Sequence, residues 1–415
     1  MSNTQTSTSI NWEIGPIFRA MLRNKVGAIL IALQIAVTMT IIVNSVYIIV
    51  ERNKEMQRDS GIDNENSFYL TSVGFGENFN VPITVEEDMN ALRALPGVVD
   101  AIQINAVPNS GSGWSMGLKT QPGVEYDGVG TAVYMVDDHG INALDVEIIA
   151  GENFAPTDIG MRVVGQVNWP DKTILTKAMA ENLFPDIPYQ SVVGKTVYIN
   201  DTDPMIVVGI IDKLQAPWVG WNNLENAMLS PERQDFKTSR YFIRTEPGQR
   251  DTVMKHVEEL LANSNKGRLI KGMRSIEETR ERSYRGHTAM IKILTTVMII
   301  LTIVTALGIV GLASFSVNQR KKQIGTRRAL GASQSAIVRY FMLENFLISS
   351  IGVVLGAALT IGLNIILVNT FGLDRIDWFY IPIGMLVLWI IGQGAVFGPA
   401  KKAANIPPAL ATRTI

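Results

Sequence analysis

Four apolar runs constrain this chain more than anything else in it. Val26–Val50, Leu294–Val317, Leu343–Val368 and Phe379–Phe397 each reach the roughly 20 residues needed to cross a bilayer. None carries an Asp, Glu, Lys or Arg inside, apart from Glu344 at the start of the third. The spans are therefore placed at 26–50, 294–317, 343–368 and 379–398. The first is too long for the core of a signal peptide and reads as an uncleaved anchor.

Basic residues set the expected orientation. Arg19, Arg23 and Lys25 precede the first span; Arg320, Lys321, Lys322, Arg327 and Arg328 lie between the second and third; Lys401, Lys402 and Arg413 follow the fourth. By the positive-inside rule these regions are cytoplasmic, which puts both termini inside and residues 51–290 and 369–378 outside. A polar N-terminus leads to Ile14, Ile17, Phe18, Met21 and Leu22, spaced for an amphipathic helix lying in the headgroups within 1–25, with Trp12 just ahead.

The outer segment reads as α+β. A strand is expected at Ser67–Ser72, then a helix from Thr84 to about Leu95, with Thr84 and Glu87 as its capping box. Val98–Val107 alternates like a strand, and Tyr241–Thr245, Thr252–Ala262 and Arg268–Met273 repeat a β-α-β order. Two porter-like βαβ units, about 60–110 and 236–275, thus flank an inserted β-rich subdomain at about 110–235. Within the insert, 196–211 reads as a hairpin around Asp201-Thr202-Asp203-Pro204. A stalk helix, 276–293, is expected to run unbroken into the second span.

Little in the chain supports chemistry. A formal net charge of −1 argues against nucleic-acid binding, and the absence of cysteine removes disulfides and thiolate ligands. Gly194-Lys195-Thr196 resembles the end of a phosphate loop, but Tyr189 stands where the loop needs glycine and a strand follows instead of a helix. Asp137-Asp138-His139 could ligate a metal, although a solvated turn is the simpler reading. Gln34, Asn44 and Asn364 are too sparse for a proton path. Trp378, Tyr380 and Trp389 suit an interfacial belt. In 216–223, Trp218 and Trp221 could contact a partner or pack under a loop.

Small residues inside the spans point to close helix packing: Gly308 and Gly311 in the second, Gly352 and Gly356 in the third, Gly394 and Gly398 in the fourth. Packing within one protomer and a dimer seam both fit. Between spans two and three, 318–342 reads as a short helix that Gly331 ends in a left-handed cap, after which Ser333 caps the next helix. Its charges could serve only to orient the chain. Alternatively Ile324, Ala329 and Leu330 could anchor a cytoplasmic partner.

The stretch RKKQIGTRRALGASQSAIVRYFMLENFLISSIGVVLGAAL (320–359) closely resembles the signature of MacB/FtsX-type ABC permeases, and GPAKKAANIPPALATR (398–413) resembles their tail. AGENFAPTD, AMAENLFPD, VVGKTVYINDTDPMIVVGIID and ALRALPGVVDA are similar to parts of a MacB-like periplasmic core. The resemblance implies a bacterial inner-membrane permease with four transmembrane helices and a periplasmic α+β domain. It also implies a dimer, of two copies or of paralogues, moved by a cytoplasmic ABC ATPase that carries ATP and Mg. A periplasmic adaptor and an outer-membrane duct would be further partners.

Ile324, Gly325, Arg327, Arg328, Ala329, Leu330, Gly331 and Glu344 match the region that meets the ATPase. About 25 residues precede the first span, so the ATPase is expected on a separate polypeptide, and no cofactor or metal is expected on this chain. The output expected is export or extrusion of an antibiotic, peptide or lipoprotein-like substrate. The alternatives are an FtsX-like signal transmitter that activates a periplasmic cell-wall hydrolase, and an anchored extracytoplasmic enzyme.

Overall fold

The computed structural model describes residues 25–166, 168–371 and 375–407. The amphipathic stretch expected at Trp12–Leu22, with Arg19, Arg23 and Arg413, lies outside them. The chain divides into a membrane unit, 1–56 with 287–415, and an outer unit, 57–286.

In chain order, α1 (Lys25–Met56) leads into the outer unit. There follow β1 (Ser67–Gly74), α2 (Val81–Arg93), β2 (Val98–Ile104), β3 (Trp114–Leu118), β4 (Val129–Val136), α3 (Gly140–Leu144), β5 (Ile148–Gly151) and β6 (Gly160–Val163). Next come β7 (Lys172–Thr176), α4 (Lys177–Leu183), β8 (Thr196–Ile199), β9 (Asp203–Ile211), β10 (Ala227–Asp235), β11 (Thr238–Thr245), α5 (Arg250–Ser264), β12 (Arg268–Ser275) and α6 (Ile276–Ser283). The membrane unit resumes with α7 (Arg285–Gln319), α8 (Lys321–Ala329), α9 (Gln334–Phe371) and α10 (Tyr380–Ala404).

Strand periodicity builds the outer unit. The first sheet is antiparallel, in the order β12-β1-β11-β2. Successive residues of a strand point to opposite faces, and the apolar residues use both faces. Phe68, Leu70, Ala101, Tyr241 and Ile243 pack under α2 and α5 with Val85, Met89, Val257 and Leu261. Their neighbours Tyr69, Ile102, Ile104 and Phe242 face the other way, into a core with Tyr134, Val136, Ile174 and Leu229 of the second sheet. That second sheet is mixed, in the order β3-β4-β10-β7-β9-β5. The segment expected as an insert therefore shares a hydrophobic core with the strands that flank it.

A buried charge cluster ties α2 and α5 to the first sheet. The Arg268 guanidinium donates to Asp88, at 2.9 Å on the second of its two contacts, and to the Leu261 carbonyl. Tyr241 donates its hydroxyl to the same carboxylate at 2.7 Å. Burial, followed by the nearby Asp88 charge, pushes the Tyr241 hydroxyl well above its ordinary pKa, so it remains a donor.

Four local expectations differ from the structure. Helix α2 starts at Val81, not Thr84, because the Asn80 side chain accepts from the Ile83 N–H and Pro82 occupies the first turn. Thr84 is buried and accepts instead from Asn265. In the 196–211 hairpin, Asn200 and Asp201 take positive φ, and Pro204 already pairs with Tyr198 as part of β9. The stalk is not one helix: α6 ends at Ser283 and α7 begins at Arg285. The packing of Tyr284, only 2% exposed, and the bond from the Ser283 hydroxyl to the Asn109 carbonyl override helical propensity there.

In the membrane unit, α1, α7, α9 and α10 are each long and apolar enough to span a bilayer, and each runs past the C-terminal end of its apolar run. Glycine permits the packing of α9 on α1. A Cβ on Gly352 would lie 2.8 Å from the Ala32 carbonyl oxygen, and one on Gly356 would lie 2.8 Å from the Met39 Cβ. Thr360, one turn further, is fully buried. Helix α7 joins through polar side chains: Thr38 and Thr305 share a 2.8 Å hydrogen bond, and Gln34 donates to the Val304 carbonyl at 3.1 Å.

Candidate functional site

Helix α8 is a nine-residue segment between two spanning helices, and its two ends are fixed by different means. At its C-terminus Gly331 adopts φ +97°. Its N–H bonds the Arg328 carbonyl at 3.1 Å, and the Ala332 N–H bonds the Arg327 carbonyl at 3.0 Å. Those two bonds form a Schellman motif, which a left-handed glycine permits without strain. The Ser333 hydroxyl then accepts from the Ala336 N–H at 3.2 Å and opens α9. The left-handed stop and the serine cap read from sequence are both present.

The apolar residues of α8 do not act together. Ile324 is only 5% exposed and belongs to a cluster with Val317, Ile337, Phe341, Ala400, Ala403, Ala404 and Ile406. It seats α8 on the ends of the spans and is not available as an anchor for another chain, contrary to expectation. Gly325 is buried beside it. Leu330 is 83% exposed and Ala329 is exposed, so the free apolar surface is confined to the last turn.

The charged residues divide in the same way. Arg328 donates to the Ala332 carbonyl at 2.8 Å, and the Arg327 guanidinium lies 4.9 Å from the centre of the Tyr340 ring. Glu344, 8% exposed, pairs with Arg320 at 3.0 Å. It therefore clamps the end of α7 to α9 and offers no open carboxylate. Two features escaped sequence reading. One is this Arg320–Glu344 pair. The other is the socket made by Ala400, Ala403 and Ala404, whose i, i+3, i+4 spacing on α10 was the available signal.

The small residues of the spans fall into two groups. Gly308, Gly352 and Gly356 meet α1 of the same protomer, Gly308 through the Gln34 side chain. Gly311, Gly394 and Gly398 have open space where a Cβ would be.

Elsewhere the chemistry-bearing residues are engaged structurally. Asp137 is 2% exposed and held between Arg93 at 3.3 Å and Arg233 at 3.0 Å, so it is not part of the solvated turn expected. His139 instead contacts Asp100 at 3.0 Å. Gly194 takes φ +83° in the turn before β8, a backbone need unrelated to phosphate. Trp218 and Trp221 pack edge to face at 5.6 Å against the shared core. Trp389 stacks on Phe346 at 5.5 Å between α10 and α9.

Comparison with known proteins places this arrangement. The family model described as MacB-like periplasmic core domain matches residues 26–260, more than half the chain, and FtsX-like permease C-terminal matches 295–408. The chain belongs to the MacB/FtsX permease family. The protein is thus a permease-type membrane protein with an extracytoplasmic α/β domain.

Among its relatives is the macrolide export ATP-binding/permease protein MacB of Campylobacter jejuni, 25% identical over 242 residues, which are 55% of this chain and 36% of the relative. Another is MacB 1 of Yersinia pestis, 27% identical over 54% of this chain and 35% of the relative. The matched segments span about a third of these relatives' length. Similar solved structures are the extracellular domain of YknZ from Gram-positive bacteria (17% identity, TM-score 0.31, 49% of this chain and all of that one) and the periplasmic region of MacB from Actinobacillus actinomycetemcomitans (16%, 0.33, 55% and 97%).

Proposed function

We propose that this permease transmits ATP-driven motion from a nucleotide-binding subunit, whose catalytic site lies outside these 415 residues, to its extracytoplasmic domain. The observation that carries the reading is the division of α8. Ile324 fixes the helix to the ends of the spans, while Leu330 stands free on its last turn. A helix held on one face and exposed at one apolar tip can receive a push and pass it to the bundle. Arg320–Glu344 and the alanine socket of α10 link it to three spanning helices.

By the positive-inside rule the basic residues of α8 support a cytoplasmic placement, where such a subunit would find ATP and Mg. The permease itself would carry no cofactor and no catalytic residue. The working unit would be a dimer, with Gly394 and Gly398 as candidate seam residues. The output would be export or extrusion of an antibiotic, peptide or lipoprotein-like substrate, a range that includes the macrolide export named for the relatives. In that setting an adaptor and an outer-membrane duct are proposed further partners.

The test is co-reconstitution with the cognate ATPase. Leu330→Glu is expected to abolish ATPase binding and permease-stimulated hydrolysis while the permease elutes and melts like the wild type. Unchanged stimulation would sink the docking role. Stimulation accompanied by binding of a cell-wall hydrolase to the outer domain, with no exported cargo, would favour signalling over transport.

A further inference from the structure

Helix α8 buries Ile324 and Gly325 on one side, with Arg328 half-buried next to them. By helical periodicity the opposite side carries Lys322, Thr326 and Leu330, spaced i, i+4 and i+8. All three are exposed. Eight residues of helix separate Lys322 from Leu330 by about 12 Å. The outward stripe is thus cationic at one end and apolar at the other.

The seat of α8 keeps that stripe away from lipid. Val317 ends the second apolar run, Ile337 and Phe341 precede the third, and Ala400, Ala403 and Ala404 follow the fourth. Helix α8 therefore packs on the helix ends beyond the apolar runs, and its far side points away from the bundle. Leu330 with Ala329 and Gly331 makes a small apolar tip there, too small to hold a subunit by itself.

A second contact is available in charge. In the described parts of the membrane unit the acidic residues are Glu51, Glu55, Glu344 and Asp377. Glu51 and Glu55 close α1 and Asp377 precedes α10, all at the opposite end of the bundle from α8. Glu344 is taken by Arg320 at 3.0 Å. Lys322 has no carboxylate partner among the described residues. A carboxylate brought to it from outside would also meet the positive end of the α8 dipole, because no acidic residue stands in the first turn.

Given the reading of α8 as the receiver of a nucleotide-binding subunit, we infer that the surface docking on it is bipartite. An apolar socket takes Leu330, and a carboxylate about 12 Å further along the helix pairs with Lys322. The leucine supplies the anchor and the ion pair supplies direction. With Leu330 seated, the carboxylate selects one of the two ways α8 can lie across the socket.

The experiment uses the full chain in phosphatidylcholine nanodiscs with the cognate nucleotide-binding subunit. A carbodiimide, which joins an amine to a carboxylate only in contact, is expected to link Lys322 to an aspartate or glutamate of that subunit. Lys322→Glu is expected to weaken binding about fivefold at low salt and to flatten its salt dependence, while Lys322→Arg keeps both. Lys402→Glu, an exposed reversal on α10 outside the stripe, should leave the affinity within about twofold of wild type. Binding that survives Leu330→Glu would remove the underlying reading of α8 and this face with it. Binding lost with Leu330→Glu but unchanged by Lys322→Glu, with no crosslink at Lys322, would overturn the bipartite face alone. So would an equal loss with Lys402→Glu, or a Lys322 effect that appears only when phosphatidylglycerol is added to the discs, which would assign the lysine to lipid.

Discussion

Ile324 and Leu330 lie on one short helix and differ almost completely in exposure, so they predict opposite outcomes. Ile324→Glu puts a charge into the cluster around Phe341 and Ala404 and is expected to lower membrane-unit stability by about 3 kcal/mol. Tryptophan fluorescence during thermal unfolding in detergent would show it. Leu330→Glu, on an exposed side chain, should leave that melt within about 0.5 kcal/mol of wild type. A loss of coupling in the second variant alone is thus interpretable, whereas the first conflates coupling with folding. In the outer unit, Asp88→Ala would strand the fully buried Arg268 guanidinium and remove the acceptor of the Tyr241 hydroxyl. The expected loss is about 3–5 kcal/mol in urea unfolding of the outer unit.

Among elements, α1 and α9 depend on small residues that α10 does not need at Gly394. Gly352→Leu would drive a side chain into the Ala32 backbone and Ile35, and is expected to destabilise the bundle by about 1–3 kcal/mol. Gly394→Ala meets nothing and should be neutral in the same thermal assay of the monomer. The G-x-x-x-G spacing was readable at Gly352/Gly356 and at Gly394/Gly398 alike. Which pair faces a neighbour was not, because spacing places residues on one helix face without saying what that face meets. The stalk is similar. Its polar pattern reads as continuous helix through Tyr284, and the tertiary contacts of Ser283 and Tyr284 in the outer unit interrupt it.

For the whole molecule, the shared core of the outer unit has a thermodynamic consequence. Residues 57–286 are expected to unfold in one calorimetric transition, because Ile102, Ile104 and Phe242 of one sheet pack with Tyr134 and Leu229 of the other. Two separable transitions would mean that the two sheets fold as independent bodies.

Sequence alone determined the four spans, the alternating strand that begins at Val98, and the Gly331–Ser333 punctuation around α8. Each is a local property: run length, a period of two, or a backbone angle that only glycine adopts freely. Tertiary structure decided the rest. It buried Ile324 and left Leu330 free, closed Glu344 onto Arg320, gave Asp137 two arginines, and joined the presumed insert to its flanks through one core. Those outcomes depend on which surfaces meet across hundreds of residues, and a side chain's own chemistry does not specify its neighbour.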